Sequence, residues 1–174
     1  MRASLFCVAI LGLCLSVAVH VATFCGIDPQ QVFPAVWMLH VGIFAIWFPA
    51  ILFTNRRIGS LPRREQGAAR MRGTPRMMRA VLGPLFAYTA FNFFFTIFVL
   101  QGGHSPTIRD STFALQDSGR IVRALTEREY HRYRAYEVRT FSGPWILFYF
   151  AGMAMLYPRA ADHEKMACET TVSA

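Results

Sequence analysis

Charged residues divide this chain more sharply than any other feature. No Asp, Glu, Lys or Arg occurs in 3–27, 29–55, 80–108 or 140–158. A bilayer core of ~30 Å needs ~20 apolar residues in a helix. Four stretches supply that length: 5–25, 34–53, 81–100 and 141–157. The last is the shortest and sits at the lower limit for crossing. The pattern predicts an all-α fold, a four-helix transmembrane bundle over 1–157, with a polar tail over 158–174. The first run is longer than the ~7–15 residues of a signal-peptide core, so it reads as an uncleaved helix.

The segments between these runs carry the turn chemistry. Gly59, Pro62, Gly67, Gly73 and Pro75 argue against one long helix through the 54–80 loop. Gln101-Gly-Gly-His-Ser-Pro106 ends the third span. Within the 101–140 loop, Thr126-Glu-Arg-Glu129 has the spacing of a capping box. It predicts one amphipathic interfacial helix, with Tyr130, Tyr133, Glu137 and Phe141 on one face and Arg128, Arg132 and Arg139 on another. That helix enters the fourth span through Ser142-Gly143-Pro144.

Composition agrees with the pattern. The chain is 54% hydrophobic and only 16% charged, against ~25% charged in an ordinary soluble domain. A soluble enzyme, a disordered chain and a coiled coil are excluded. The net charge of +8 comes almost wholly from Arg, with Lys165 the lone lysine. Eight Arg crowd 54–80 against one Glu, whereas the 26–33 loop has no basic residue. By the positive-inside rule, both termini and the 54–80 loop face the cytoplasm of a bacterial inner membrane. Arg56, Arg57, Arg63 and Arg64 then lie on anionic headgroups, each contributing ~1 kcal/mol. The loop has no aromatic residue to stack on a base, which argues against nucleic acid as a partner.

Polar groups inside the spans are the candidate chemistry, because they are costly there. No carboxylate lies in a span, which argues against a proton-coupled transporter, and no nucleophile elbow or phosphate-cradling motif argues for an enzyme. Ser16, His20 and Thr23 share a face of the first span, and Trp37, His40, Phe44 and Trp47 share one of the second. Thr89, Asn92 and Thr96, with Tyr88 beside them, line the third. Ser142, Trp145, Tyr149 and Gly152 line the fourth. All four stripes are expected to face inward, and His20 and His40 to sit at matched depth near the outer end.

The leading reading of this polar interior is interhelical hydrogen bonding at ~0.6–2 kcal/mol per contact. That makes the protein a membrane component that associates with itself or a membrane-protein partner, with no cofactor. The alternative reading is haem b held by His20 and His40 in an electron-transfer or assembly protein. A metal or quinone-type pocket is a third reading, and a small-solute transporter a further functional class. Cys7 and Cys14 read as small apolar packers; no C-x-x-C occurs.

Two segments, His20-Val-Ala-Thr-Phe-Cys-Gly-Ile-Asp-Pro29 and Arg139-Thr-Phe-Ser-Gly-Pro-Trp145, resemble parts of small, uncharacterised bacterial polytopic membrane proteins. The resemblance covers about a fifth of the chain and implies no activity, cofactor or site. Pro144 stands where such segments carry a His, which leaves His20 and His40 as the intramembrane imidazoles.

Overall fold

The computed structural model describes residues 2–58, 61–71 and 74–157. Helix α1 runs Arg2–Phe24, followed by a single-turn α2, Pro29–Val32, and a 3-10 turn, Pro34–Trp37. Then come α3, Met38–Ile58, α4, Arg63–Met71, and α5, Arg76–Phe95, which continues as a π-helical turn, Thr96–Leu100. Three short strands follow, β1 Ser105–Arg109, β2 Thr112–Asp117 and β3 Arg120–Ala124. Helix α6, Glu127–Leu156, closes the described chain. The 158–174 tail lies outside the described residues.

Three helices are long and apolar enough to cross a membrane: α1, the stretch Pro34–Arg56, and Arg76–Leu100. They match the first three predicted spans, with α5 beginning five residues before residue 81. Large apolar side chains stand exposed along all three, among them Leu11, Val21, Phe48, Phe86 and Phe91. Soluble monomers rarely expose apolar patches of that extent. The fourth predicted span is the second half of α6, and it is less apolar for a structural reason. Helix α6 packs against α1, α3 and α5, and buries Ser142, Gly143, Trp145, Tyr149, Gly152 and Ala154. A helix packed against three others needs less of the uniformly apolar surface that lipid demands.

Small residues let Tyr149 into this core. A Cβ at Gly12 of α1 or at Gly42 of α3 would overlap the Tyr149 side chain. The ring thus occupies a notch formed by two neighbouring helices, and its hydroxyl donates to Leu39 O at 2.8 Å. Gly152 plays the converse part, since a Cβ there would meet Ile46 Cγ2 at 2.8 Å.

Both ends of the bundle are fastened. At one end the Arg2 guanidinium donates to Tyr157 O at 3.1 Å and to Met155 O at 3.5 Å. Thr74 Oγ1 donates to Ala154 O at 3.0 Å. These donors satisfy carbonyls that a helix end leaves orphaned, and the cation suits the negative end of the helix dipole. The start of α1 and the end of α6 therefore share this end, with the Arg-rich α4 region. At the other end, Asp28 caps α2 by accepting from Gln30 N at 3.0 Å. It also accepts from His131 Nδ1 of α6 at 2.9 Å, and Arg134 bonds the Gln30 side chain.

Two expectations for 101–140 are corrected. The fold is not all-α: the strands form an antiparallel sheet in the order β1-β2-β3. Both connections are two-residue turns with positive φ, Asp110-Ser111 and Ser118-Gly119, the twist that tight hairpins favour. Nor is there a separate interfacial helix. The capping box forms as predicted, with Thr126 and Glu129 reciprocally bonded. The helix it opens then continues through Pro144 without a break for about 45 Å. Pro144 has no N–H to donate to Thr140 O, and the helix carries that one missing ladder bond where it packs against its neighbours.

Candidate functional site

The polar stripes of α1, α5 and α6 converge as expected. His20 is only 6% exposed. Its Nδ1 lies 2.6 Å from Ser142 Oγ and its Nε2 lies 2.6 Å from Tyr88 Oη. Ser142 Oγ also donates to Arg139 O at 3.2 Å. A hydroxyl has one proton, so Ser142 must accept from His20, which makes His20 the Nδ1–H tautomer. Its Nε2 is then the acceptor for the Tyr88 hydroxyl. The result is one directed chain, Tyr88 to His20 to Ser142 to the Arg139 carbonyl, crossing three helices.

One turn further along, Asn92 Nδ2 donates to Arg139 O at 3.0 Å, and Arg139 Nε donates to Asn92 Oδ1 at 3.1 Å. The Arg139 guanidinium lies 3.7 Å from the centre of the Phe24 ring, a cation–π contact. Arg139 is thus turned into the α1–α5–α6 junction, not outward with Arg128 and Arg132 as its helical spacing predicted. Thr89 Oγ1 donates to Gly143 O at 3.3 Å. Within α1, Ser16 and Thr23 bond backbone carbonyls of their own helix, Gly12 O and His20 O. All are buried.

The stripe of α3 behaves differently. Its inward face is Ile43, Ile46 and Ala50, with Val36 just before the helix. Trp37 and Trp47 are half-buried, and Phe44 is exposed. His40 accepts at Nδ1 from Trp145 Nε1–H at 3.0 Å, and its ring meets Phe44, Phe141 and Trp145 edge-on. Indole nitrogen can only donate, so His40 is the Nε2–H tautomer.

His20 and His40 therefore lie within about a helical turn of each other in depth, since Ser142 and Trp145 are three residues apart on α6. Each is committed to a different partner. Axial ligation by His20 would require giving up a bond to Ser142 or Tyr88. Among the described residues no group of three His, Cys, Asp or Glu side chains comes together to hold a metal. Cys7 and Cys14 face outward, not into the core as packers. Arg56, Arg63 and Arg64 are exposed at the Arg-rich end, and Arg57 follows Arg56 in the same turn of α3.

Three features set the electrostatics of the cap, and the first two were not foreseen. One is the Asp28–His131 pair, in which the Asp28 side chain is almost wholly buried. Another is Glu137, whose carboxyl is pushed up by burial; Arg134 at 3.6 Å opposes that shift and Asp28 adds to it. The third is Glu129, held down at about 2 by bonds from the Thr126 backbone, Arg123 and the Thr126 hydroxyl. Only the last had a sequence signal, the capping box. Comparison of the chain with protein-family models, with curated proteins and with solved structures found no match in any of the three.

Proposed function

We propose that this chain is a multi-pass protein of the bacterial inner membrane that crosses four times, with both termini in the cytoplasm. Its role is to hold a folded polar cap at the outer membrane surface as a binding platform for a membrane-associated partner. The observation that carries this reading is the continuity of α6, which links cap and bundle in one rod. Leu125 N donates to Phe113 O at 2.8 Å, and the Phe113 and Tyr130 rings pack at a tilt with centroids 4.8 Å apart. The sheet is thereby tied to the first turn of α6.

The interior supports a structural role over a chemical one. Tyr88, His20, Ser142, Thr89, Asn92 and Arg139 form hydrogen bonds across α1, α5 and α6, as interhelical contacts do, while Ser16 and Thr23 bond carbonyls of their own helix. Of the two routes to association that the sequence offers, the polar stripes and the outer helix, the one proposed here is the outer helix with its sheet. The bundle lacks an intramembrane carboxylate for ion coupling among its described residues. Deleting 105–124 and joining His104 to Leu125 by a short Gly-Ser linker tests the platform. The bundle should still insert and remain folded in detergent, while cross-linking of the intact protein to its neighbours in cells is lost. Retention of the same cross-linked species would refute the cap as the platform. The haem reading makes a separate demand, a Soret band in the purified protein that disappears in both His20→Ala and His40→Ala.

A further inference from the structure

A groove of about 290 Å³ runs along the outside of the bundle between α3 and α6. It is walled by the rings of Phe44, Trp47, Phe48, Trp145 and Phe148. It extends from His40 at the cap side to Ile51, which is eleven residues, or about 16 Å, along α3. The Trp47 indole is already satisfied by Phe148 O at 2.9 Å. His40 is not. Its Nδ1 is taken by Trp145, which fixes the remaining proton on Nε2. That Nε2–H has no partner among the described residues, and it is not enclosed by protein.

In water such a donor would be solvated. On the lipid-facing side of two spans it has no water, and an unpaired donor in hydrocarbon costs several kcal/mol. The groove therefore calls for an occupant that supplies one acceptor at the cap end, a flat face for the rings, and an aliphatic tail toward the bilayer centre. We propose that this groove binds the head and first isoprenoid units of a lipid-soluble quinone, with His40 Nε2–H donating to a quinone carbonyl. An ester-linked acyl chain would also offer a carbonyl, but apolar walls alone would suit it. Five aromatic walls favour a planar ring, which can stack or meet them edge-on. The proposal concerns binding only, and it rests on α3 and α6 lying in the bilayer.

The test uses the full chain in detergent, titrated with a decyl-tailed benzoquinone, with quenching of tryptophan fluorescence as the readout. Saturable quenching is expected, weakened about tenfold in His40→Ala, which is the loss of one hydrogen bond worth about 1.4 kcal/mol. Because that change also strands the Trp145 indole, Ile51→Phe provides a second variant. It fills the far end of the groove, leaves the His40–Trp145 bond in place, and should also weaken binding. Linear, unsaturable quenching that neither substitution alters would overturn the proposal. So would displacement of the quinone by an equal concentration of a short-chain phosphatidylglycerol. Recovery of the protein from cells without detergent would instead remove the membrane reading on which the site depends.

Discussion

At the scale of single residues, the fold concentrates its risk on His20. Both ring nitrogens are used and the residue is enclosed. His20→Ala leaves the Ser142 and Tyr88 hydroxyls without that partner, and a stranded buried polar group costs about 1–3 kcal/mol. The expected result is a clear drop in the thermal midpoint in detergent. Tyr88→Phe removes one bond only, at a position 40% exposed, and should cost less. Equal losses from the two variants would show that the ring does not link the helices. Glu137 sits outside the spans and makes a pH prediction. Its folded pKa is raised, chiefly by burial. The folded protein thus holds the proton more tightly than the unfolded chain, and stability falls as pH rises through and above the ordinary carboxyl range. Glu137→Gln should therefore stabilise the protein near pH 7 and have little effect below pH 4. A loss of stability at pH 7 would mean that the Arg134 ion pair outweighs burial.

At the scale of elements, the helices were legible wherever lipid dictates composition. Three apolar runs became α1, α3 and α5 because a lipid-facing helix must be apolar over most of its surface. The inward stripes of α1, α5 and α6 were legible too, since a polar side chain in a span seeks protein. The α3 stripe was misread for the same reason. Aromatic side chains suit both protein and lipid, so spacing alone could not say that Ile43, Ile46 and Ala50 face in while Phe44 faces out. The sheet was missed because its strands are short and its first turn, Asp110-Ser111, contains no glycine. Ser118-Gly119, between Thr112–Asp117 and Arg120–Ala124, was the one available hairpin signal. The notch for Tyr149 was invisible, because Gly12 and Gly42 are far apart in sequence and share no motif. Gly42→Val drives a branched side chain into the Tyr149 hydroxyl, an overpacking that costs about 1–3 kcal/mol or more. If the ring is what excludes the side chain, pairing it with Tyr149→Ala should restore part of the loss. No rescue by the second change would place the conflict elsewhere.

At the scale of the whole molecule, the open question was whether the last apolar stretch crosses. Its length left the matter undecided, but its company in the fold bears on it. Arg2 bonds the carbonyls of Met155 and Tyr157, and Thr74 bonds that of Ala154. The chain start, the start of α5 and the end of α6 are thus gathered at one end. The Asp28–His131 and Gln30–Arg134 contacts gather the α1–α3 connection and the first half of α6 at the other. A chain that inserts α1, α3 and α5 cannot keep both sets of contacts unless α6 returns across the bilayer. In the proposed topology, the positive-inside rule puts the Arg-rich region between α3 and α5 on the cytoplasmic side. Replacing Cys7, Cys14, Cys25 and Cys168 with Ser provides a background for single-cysteine labelling in intact cells. In that background Ile108→Cys, on the exposed β1, should react with a membrane-impermeant maleimide added outside. Arg64→Cys should react only after the membrane is opened. A fluorescent protein fused after Ala174 should mature, as it does only in the cytoplasm. Labelling of both cysteines from one side would mean that α5 does not cross. A dark fusion with the two cysteines on opposite sides would mean that α6 enters the bilayer without leaving it, and the Arg2–Tyr157 contact could not form in the membrane.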